Sequence, residues 1–422
     1  IDQMKIIGDV MLDVWVQGDC TKVSPEASTL VLKESDRKYN IGGAGNLALN
    51  LSNLGVDTHL YSSVGNDAPG HRIQEILLKN NITSYISNDA VTSTVKTRMI
   101  GPDGQHLLRL DREDQYTESQ PTQNLLKNLQ KDDIVLVSDY NKGVINSTLV
   151  NDIVNLVKRV YVDPKQNPDC YKNAYLVKPN MKEYEQWFGK FNPKNADQYR
   201  KQFNWNWLVI TDGGHGIHVV GDNEYKHITG DAVELADVSG AGDTVLAIIV
   251  KYVEQGHSMT DACSLALKGA SSVVQHRGVT VVKISDIEDT IVWTNGVFDI
   301  LHQGHLELLK FAKNQGDKLI VGINSDDSVK RLKGNDRPYN SMSARQQQLM
   351  ELPWVDQVVV FNEDTPLESI KKYTPDVIVK GGDYSVETTV GNEMADVKIF
   401  PTVKGFSTTN LLNKVNGTTD KK

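Results

Sequence analysis

The feature that most constrains the fold is an alternation of short apolar segments with helix-like segments, which occurs twice along the chain. In the first two-thirds, five apolar runs predict buried strands, namely MKIIGDV, DDIVLVSDY, VYVDP, AYLVKPN and WLVITDGG. Each run carries Asp, Asn or Gly at its C-terminal end. This alternation predicts an α/β fold, and an open α/β sheet binds its ligands at the carboxyl ends of its strands. We therefore expect functional residues at these strand ends.

A different pattern between the first two of these strands predicts a small β-lid beside the sheet. The segment TSTVKTRMIGPDGQHLLRLDRE predicts two strands, joined at a turn formed by Gly101, Pro102, Asp103 and Gly104. Exposed lid strands have unpaired edges, and such edges can pair with a second copy of the chain. The lid therefore favours a homodimer.

The last third of the chain restarts the alternation from about Thr290. Strands are predicted at TIVWTNG, KLIVGINSD, DQVVVF and DVIVKGGD, and helices at HLELLKFAKNQG, SARQQQLMELP and PLESIKKYTP. This pattern predicts a second, Rossmann-like doubly wound sheet, with domains at residues 1–287 and 288–422. No linker rich in Pro, Gly or Ser lies between them, so we expect close coupling of the domains.

Composition narrows the class of partner. The chain has 422 residues, too many for one ordinary core, and a formal net charge of −9. That charge argues against a broad surface for nucleic acid or for an anionic membrane. The cysteines Cys20, Cys170 and Cys263 are far apart, which fits a reducing, cytoplasmic setting. The apolar run VLAIIV is too short to span a bilayer.

The segment DVSGAGD, Asp237 to Asp243, is a glycine-rich turn that leads into an apolar helix. Glycines let the backbone approach a phosphate, and the N–H groups at a helix start can hold its charge. A carboxylate at this turn repels a phosphate, but it is well placed to take a proton from a hydroxyl that attacks the γ-phosphate. For the motif alone, a solvated helix cap is an equally good interpretation of Asp243.

Three further segments of the first half carry a family resemblance: IGGAGNLALNLSNLG, KPNMKE and GDVMLD. With DVSGAGD they resemble the ribokinase-like sugar kinases, from Met4 to about Ile287. The resemblance implies that Asp243 is the catalytic base and that the anion hole is formed by Gly240, Ala241 and Gly242. It implies that Asn180 and Glu183 organise Mg²⁺ and the ATP phosphates, with Glu183 towards the metal, and that a monovalent cation could also bind. The implied sugar-binding residues are Asp13, Gly42, Gly43 and Asn46.

The stretch TNGVFDILHQGHLELL places His302 and His305 three positions apart, with a glycine between them. A zinc site of the HExxH type needs a spacing of four and an intervening Glu, so a metal site is disfavoured. Histidines without a function remain an alternative. A His-x-Gly-His turn at a helix start aims imidazole and backbone N–H groups at one point. That arrangement suits the charge that develops on a nucleotide α-phosphate and on departing pyrophosphate.

This stretch resembles the cytidylyltransferase-like HxGH nucleotidyltransferases, and RLKGNDRP, KGGDY and GFSTTNLL support the likeness. Each supporting segment taken separately is also compatible with an ordinary basic loop, turn or helix cap. The resemblance implies that His302 and His305 are catalytic. The implied nucleotide contacts are Thr294, Gly296, Phe298, Asp299, Lys333, Arg337, Ser407, Thr408 and Thr409, of which the last three would bind the β- and γ-phosphates.

The order of both motif sets resembles the bifunctional heptose kinase and adenylyltransferase family of bacterial ADP-heptose synthesis, which serves the lipopolysaccharide core. The resemblance implies ATP-dependent phosphorylation of D-glycero-β-D-manno-heptose 7-phosphate at C1, and adenylyl transfer from ATP to heptose 1-phosphate. A separate phosphatase must act between these steps. The implied contacts to the heptose phosphate are Asp13, Arg109, Asp111 and Lys142. Arg109 suits the 7-phosphate because a guanidinium can donate two hydrogen bonds, although a surface charge on the lid is an equal alternative.

The chain departs from that family at one place. The family has a helix-rich linker before the TNGVFD strand, whereas only SDIEDT precedes the strand here. This departure leaves open a chain in which only one domain is active. A second alternative, which does not depend on the linker, is the same chemistry on another sugar phosphate for another surface glycan.

Overall fold

The computed structural model describes residues 3–90, 92–113, 120–230, 240–275, 280–382 and 384–401. The chain divides into two compact units, Ile1–Ile287 and Glu288–Lys422. In each unit parallel strands alternate with helices, so the α/β class predicted for both halves is confirmed. No helix in the described ranges is long and apolar enough to cross a membrane.

The first unit contains a nine-stranded sheet and a four-stranded sheet. Its strands are β1 (Met4–Gly8), β2 (Val10–Val23), β3 (Leu30–Gly43), β4 (Thr58–Gly65), β5 (Thr83–Ala90), β6 (Thr94–Ile100), β7 (His106–Arg112), β8 (Ile134–Ser138), β9 (Arg159–Asp163), β10 (Leu176–Val177), β11 (Trp207–Thr211), β12 (Ile217–Gly221) and β13 (Glu224–Ile228). Its helices are α1 (Ala44–Asn53), α2 (Ala68–Lys79), α3 (Gln120–Lys127), α4 (Ser147–Leu156), α5 (Met181–Phe188), α6 (Pro193–Gln202), α7 (Ala241–Glu254) and α8 (Met259–Val273).

The nine-stranded sheet has the order β13-β12-β11-β10-β9-β8-β1-β4-β5. Strand β1 pairs in parallel with β4 on one side and with β8 on the other. Because β1 lies between β4 and β8, the strand order reverses at β1. Such a reversal leaves a crevice at the carboxyl ends of these strands. Both faces of the sheet are covered: Ile6 of β1 belongs to one apolar cluster and its neighbour Ile7 to the other. Buried parallel strands of this kind account for the continuous apolar runs in the sequence.

The four-stranded sheet is the lid, with the order β3-β2-β6-β7. The two strands predicted around the Gly101–Gly104 turn are β6 and β7, which pair antiparallel, so that prediction is confirmed. The lid is larger than predicted because β2 and β3, of 14 residues each, also belong to it. Most of β3 is exposed. It therefore lacks the alternation of apolar and polar residues that identifies a half-buried strand.

The second unit contains a five-stranded sheet with the order β16-β15-β14-β17-β18. Its strands are β14 (Ile291–Gly296), β15 (Lys318–Asn324), β16 (Gln357–Phe361), β17 (Val377–Gly381) and β18 (Asp396–Phe400), and its helices are α9 (Gln303–Lys313), α10 (Asp326–Lys333), α11 (Met342–Met350) and α12 (Leu367–Tyr373). All neighbouring strands are parallel. Because β14 lies between β15 and β17, the strand order reverses at its carboxyl end, which is where such sheets bind ligands.

The predicted elements of the second unit are confirmed, and the structure adds two. The four predicted strands are β14 to β17, and the three predicted helices are α9, α11 and α12. Helix α10 and strand β18 were not predicted. The histidine pair follows β14, so it lies at the reversal point of this sheet.

Candidate active sites

The helices fall into two groups according to how their first-turn amides are capped. Most helices start with a side chain that accepts a hydrogen bond from a first-turn amide: Asp67, Asn146, Asn180, Asn192, Ser258, Ser325 and Ser341. Helices α1, α7, α9 and α12 have no such bond. The first three begin at predicted site residues, Gly43, Gly240 and His302. First-turn amides without such a cap, as in α7 and α9, can donate to an anion. In α1 the Ala44 amide already donates to the Asp9 carbonyl oxygen over 3.0 Å.

The glycine turn of the first unit leads directly into α7. Gly240, which precedes the helix, has a φ of 81°, a left-handed conformation that favours glycine. Ala241, Gly242 and Asp243 then form the first turn of α7. The preceding part of the DVSGAGD motif, Asp237 to Ser239, lies outside the described residues.

Asp243 is buried at this turn, with a side chain held by two neighbours. The Nδ2 of Asn46 donates to its Oδ2 over 2.9 Å. The hydroxyl of Tyr140 lies 3.2 Å from Oδ1 and 3.3 Å from Oδ2. Burial, and then the nearby charge of Asp163, raise the pKa of Asp243 to about 7. A carboxyl with such a pKa suits proton transfer at neutral pH, so the structure argues against the interpretation of Asp243 as a solvated cap.

A cavity of about 560 Å³ opens beside the same turn. Its polar wall includes the predicted residues Asn180, Glu183, Ala241 and Gly242. Its apolar wall comes from α7 and α8, through Val245, Leu267, Ala270 and Val274. A cavity with both apolar and polar lining residues suits a molecule that carries a flat base and phosphates.

Asn180 and Glu183 form a reciprocal cap at the start of α5. Asn180 Oδ1 accepts from the Glu183 amide over 2.9 Å, and Glu183 Oε2 accepts from the Asn180 amide over 3.0 Å. The other oxygen of Glu183 accepts from Lys165 Nζ over 2.8 Å. The described residues contain no group of three or more side chains placed to hold a metal ion. Asp163 and Glu183 nevertheless both line the cavity, and Mg²⁺ usually needs only one or two carboxylates besides phosphates and water.

Lys178 and Asp163 are cavity residues that the sequence interpretation missed. Lys178 is only 2% exposed, and its Nζ lies 3.1 Å from Asp163 Oδ1. The same Nζ is 3.4 Å from the point where a side chain on Gly242 would begin. A buried cation therefore lies next to the first turn of α7. Both residues lie at predicted strand ends, VYVDP and AYLVKPN, where the sequence predicts functional residues in general but singles out only Asn180.

The predicted sugar-binding residues meet at the carboxyl end of β1 and the start of α1. A side chain at Gly42 would come within 2.5 Å of Asp13 Oδ2, and one at Gly43 within 2.2 Å of the Asp9 carbonyl oxygen. These glycines thus keep the backbone next to Asp13. The side-chain amide of Asn46 donates a hydrogen bond to the Asp243 carboxylate, so Asn46 contacts that carboxylate directly.

Arg98 of β6 is the missed residue on this side of the site. Its guanidinium pairs with Asp13 and lies 4.8 Å from the centre of the Trp15 ring. Arg109, by contrast, is 52% exposed and makes two hydrogen bonds to Asp111 on its own strand. Lys142 pairs with Glu113 over 2.6 Å. The cations predicted for the sugar phosphate are therefore both paired with carboxylates, and Arg98 is the more buried cation.

In the second unit, His302 immediately precedes α9 and His305 lies in its first turn. Their rings stack, with centroids 3.7 Å apart and planes 15° apart. Neither Nδ1 atom has a hydrogen-bond partner among the described residues. Burial lowers the pKa of both histidines, and for His305 burial together with the neighbouring ring of His302 lowers it to about 4. Both imidazoles are therefore neutral near pH 7.

The loop between β14 and α9 shapes the surroundings of this pair. Phe298 has a φ of 47°, and its ring lies 5.2 Å from that of His305. A side chain at Gly296 would come within 3.1 Å of the Phe298 ring. Thr294 is fully buried and donates to the Val379 carbonyl oxygen over 2.9 Å. The hydroxyl of Thr294 therefore joins β14 to β17.

Asp299 joins the same loop to Arg337. Arg337 Nη1 donates to Asp299 Oδ2 over 2.8 Å, and the amides of Tyr339 and Asn340 also donate to this carboxylate. Burial alone would raise the pKa of Asp299, but the two amides and the guanidinium hold it below its usual range. Arg345, which was not predicted, is fully buried and donates to the Val297 carbonyl oxygen over 2.8 Å. These contacts fix the loop that leads to the histidines.

The remaining predicted nucleotide contacts are either exposed or outside the described residues. Lys333 is exposed at the end of α10. Ser407, Thr408 and Thr409 lie outside the described residues. Lys380, at the carboxyl end of β17, was missed: it is buried, and its Nζ donates to Asn295 Oδ1 over 2.6 Å. Burial lowers the pKa of Lys380 to about 8. A buried lysine at the reversal point of the sheet is suited to an anion.

Comparison with known proteins agrees with this division of the chain. The family described as pfkB family carbohydrate kinase matches residues 4–285, and the cytidylyltransferase-like family matches residues 293–413. Ribokinase from Thermotoga maritima has the fold of the first unit, with a TM-score of 0.56 and 18% identity over 67% of this chain and 97% of that chain. Phosphofructokinase-2 from Escherichia coli, solved with substrates and products, gives a TM-score of 0.57 and 17% identity over 68% of this chain and 97% of that chain.

Curated relatives cover nearly the whole chain. The bifunctional protein HldE of Nitratiruptor sp. is 35% identical over 97% of this chain and 98% of its own length. The bifunctional protein HldE of Campylobacter fetus is 36% identical over 98% of this chain and 99% of its own length. The two matched families imply that the chain uses ATP and sugar phosphates. The chain therefore belongs to the family of HldE bifunctional proteins, enzymes in which a carbohydrate kinase precedes a nucleotidyltransferase.

Proposed function

We propose that the first unit phosphorylates D-glycero-β-D-manno-heptose 7-phosphate at C1, and that the second unit joins AMP from ATP to heptose 1-phosphate. The observation that carries this proposal is that each unit has a helix whose start lacks a side-chain cap, α7 in the first unit and α9 in the second. One lies beside the buried carboxylate of Asp243 and the other beside the imidazoles of His302 and His305. Each combination supplies what one of the two reactions requires.

In the kinase unit, Asp243 takes the proton from the C1 hydroxyl as the new O–P bond forms and the bond from the γ-phosphorus to the ADP oxygen breaks. The amides of Gly240, Ala241 and Gly242 and the ammonium of Lys178 stabilise the transferring phosphoryl group. Asn180 and Glu183 shape the polar wall of the nucleotide cavity. The sugar is held by Asp13, Gly42 and Gly43, and its phosphate by cations of the lid, among them Arg98, Arg109 and Lys142, next to Asp111.

The metal that this proposal includes is Mg²⁺ in the kinase unit. When bound with ATP, it neutralises phosphate charge. Asp163 and Glu183 line the cavity and would hold it on the protein side, largely through water, because both oxygens of Glu183 already accept hydrogen bonds. A monovalent cation is a further proposed ligand of this unit.

In the transferase unit, the heptose 1-phosphate oxygen attacks the α-phosphorus of ATP, and the bond to the pyrophosphate oxygen breaks. His302, His305 and the first amides of α9 stabilise the charge on these oxygens. Lys333, Arg337, Lys380 and the segment Ser407 to Thr409 would bind the phosphates. Thr294, Gly296, Phe298 and Asp299 hold the loop that aims the histidines.

We further propose that the enzyme is a cytoplasmic homodimer. Both reactions consume ATP, which supports a place in the cytoplasm. The lid exposes large apolar side chains, including Leu30, Val31, Leu108 and Leu110, on its outer strands β3 and β7. Exposed apolar edge strands favour pairing with a second copy. Sedimentation equilibrium tests this point, and a monomer at all concentrations would contradict it.

The experiment that tests the proposed function is an incubation of the full chain with heptose 7-phosphate, ATP and Mg²⁺, with products followed by mass spectrometry. We expect the 1,7-bisphosphate alone without a phosphatase, and ADP-heptose when a phosphatase that removes the 7-phosphate is added. The same assay with hexose 6-phosphates and with CTP tests the alternative sugar and the alternative nucleotide. Faster turnover of another sugar phosphate would replace heptose in the proposal, and a single product in all mixtures would mean that one unit is inactive.

A further inference from the structure

Tyr140 presents a hydroxyl to the carboxylate of Asp243, and the reaction scheme above does not use it. The hydroxyl oxygen lies 3.2 Å and 3.3 Å from the two carboxylate oxygens, while Asn46 donates to one of them. Burial, and then the charges of Asp243 and Asp163, raise the pKa of the phenol well above its usual value. Tyr140 therefore keeps its proton at neutral pH and acts as a donor.

The loop that carries Tyr140 is held by two buried carboxylates. Asp9 accepts hydrogen bonds from the amides of Tyr140, Lys142 and Val144, over 2.9 to 3.1 Å. Asp139 accepts from the amide of Asn141 over 2.7 Å. Carboxylates that accept several backbone hydrogen bonds fix a loop in one conformation. The position of the Tyr140 hydroxyl is therefore set by the loop and does not depend on the packing of the ring alone.

The lid also contacts the ring of Tyr140. Lys96 of β6 places its Nζ 5.7 Å from the centre of the Tyr140 ring, within the range of a cation–π contact. Strands β2 and β6 pair in parallel, and Lys96 is the register partner of Asp13, the predicted sugar-binding carboxylate. Tyr140 thus has the sugar-binding side of the lid against its ring and the proposed base against its hydroxyl.

We propose that Tyr140 is a positioning residue for phosphoryl transfer, whose hydroxyl, together with Asn46, orients the Asp243 carboxylate and stabilises its negative charge. This inference rests on the proposed role of Asp243 as the base. During the reaction the sugar proton passes to Asp243, and Tyr140 retains its own proton throughout. The hydroxyl acts before the transfer, when the carboxylate must be ionised and aimed at the C1 hydroxyl.

The test compares Tyr140→Phe with the unchanged full-length enzyme in the kinase reaction between pH 5.5 and 9. Loss of a hydrogen bond to a charged group shifts a pKa by about one unit, so the acid limb of kcat should move up by about one pH unit. Near pH 9 the kcat of the variant should return to within about threefold of the parent. The KM for ATP should stay within about twofold, because Tyr140 does not hold the nucleotide phosphates in this scheme.

Tyr184→Phe is a matched control. Tyr184 is also fully buried, but its hydroxyl has no hydrogen-bond partner among the described residues. It should leave the pH profile of kcat unchanged. A loss of kcat in Tyr140→Phe that is equal at every pH, or a profile that coincides with the parent, would overturn the inference.

A second measurement needs no sugar and separates this inference from the proposed substrate. Because Tyr140 stabilises the ionised form of Asp243, its removal should lower the urea midpoint of unfolding more at pH 9 than at pH 5.5. Tyr184→Phe should change the midpoint by the same amount at both pH values. If heptose 7-phosphate is not phosphorylated but this pH dependence is found, the substrate is wrong and the positioning role stands. The same drop in midpoint at both pH values for Tyr140→Phe would contradict the role.

Discussion

The helix starts at Gly240 and His302 both lack a side-chain cap, but an acidic group lies beside the first and basic groups lie beside the second. Both belong to units in which helices alternate with mainly parallel strands, and neither has a side-chain cap for its first-turn amides. Burial raises the pKa of Asp243 to about 7 and lowers that of His305 to about 4. In both cases burial disfavours the charged form. The result is a carboxyl that is half-ionised near neutrality in one unit, and a pair of neutral imidazoles in the other.

Asp243→Asn should have the largest effect on one unit while leaving the other unchanged. An amide cannot accept the sugar proton, so we expect the kinase kcat to fall by about 10³-fold while adenylyl transfer is unchanged. Both rates are measured on the same preparation, with heptose 7-phosphate and heptose 1-phosphate as separate substrates. Asp261→Asn, in the exposed first turn of α8, is the matched control and should retain both activities. Equal loss of both reactions in Asp243→Asn would contradict a two-site enzyme.

The reciprocal change is His305→Ala. Removal of one donor to the charge that forms in the transition state should lower the kcat of adenylyl transfer by about 10²-fold and leave the kinase unchanged. Release of pyrophosphate and formation of ADP are the two readouts. A His305→Ala variant that keeps the parent rate of adenylyl transfer, or that loses kinase activity to the same extent, would contradict this assignment.

The pH dependence of the two reactions sharpens the contrast without any substitution. At pH 5.5, a carboxyl with a pKa near 7 is ionised in about 3% of molecules, so the kinase kcat should be about thirtyfold below its plateau. His305, with a pKa near 4, stays neutral at pH 5.5, so adenylyl transfer should change by less than about threefold. Saturating rates of both reactions across pH 5 to 8.5 give the measurement. Parallel profiles would show that these groups do not control the two steps.

The smallest effect is expected from the lid cations. Arg98→Gln leaves the buried carboxylate of Asp13 without its partner, and should raise the KM for the sugar phosphate by about tenfold with kcat within threefold. Arg109→Gln, at an exposed pair, should raise the same KM by no more than about threefold. Arg72→Gln, an exposed arginine on α2, serves as the control. A larger effect at Arg109 than at Arg98 would restore the ranking expected from sequence.

Much of the fold could be predicted because buried parallel strands leave a direct record in the sequence. The runs MKIIGDV and TIVWTNG are apolar and end where the chain turns, and they are β1 and β14. Strand β3 could not be found in this way, because most of its side chains are exposed. Its conformation depends on backbone pairing with β2, which side-chain periodicity does not report.

The sites were predicted where a motif requires a residue type, and missed where only spatial proximity matters. Asp243 and the histidine pair lie in local motifs whose chemistry is readable from spacing. Arg98 and Lys178 lie on separate elements and meet Asp13 and Asp163 only after folding. Burial is the property that identifies these two cations, and a single sequence does not contain it.

Each unit has its own sheet and its own apolar clusters, with a division between Ile287 and Glu288. If the heptose 1,7-bisphosphate must leave to meet a phosphatase, there is no benefit from a tunnel between the halves. The effect of fusion would then be that the cell makes the two catalytic units in equal numbers. Fusion would not shorten the path of the intermediate between them. A gene cut at that junction should still support the whole conversion when its two products are made in equal amounts.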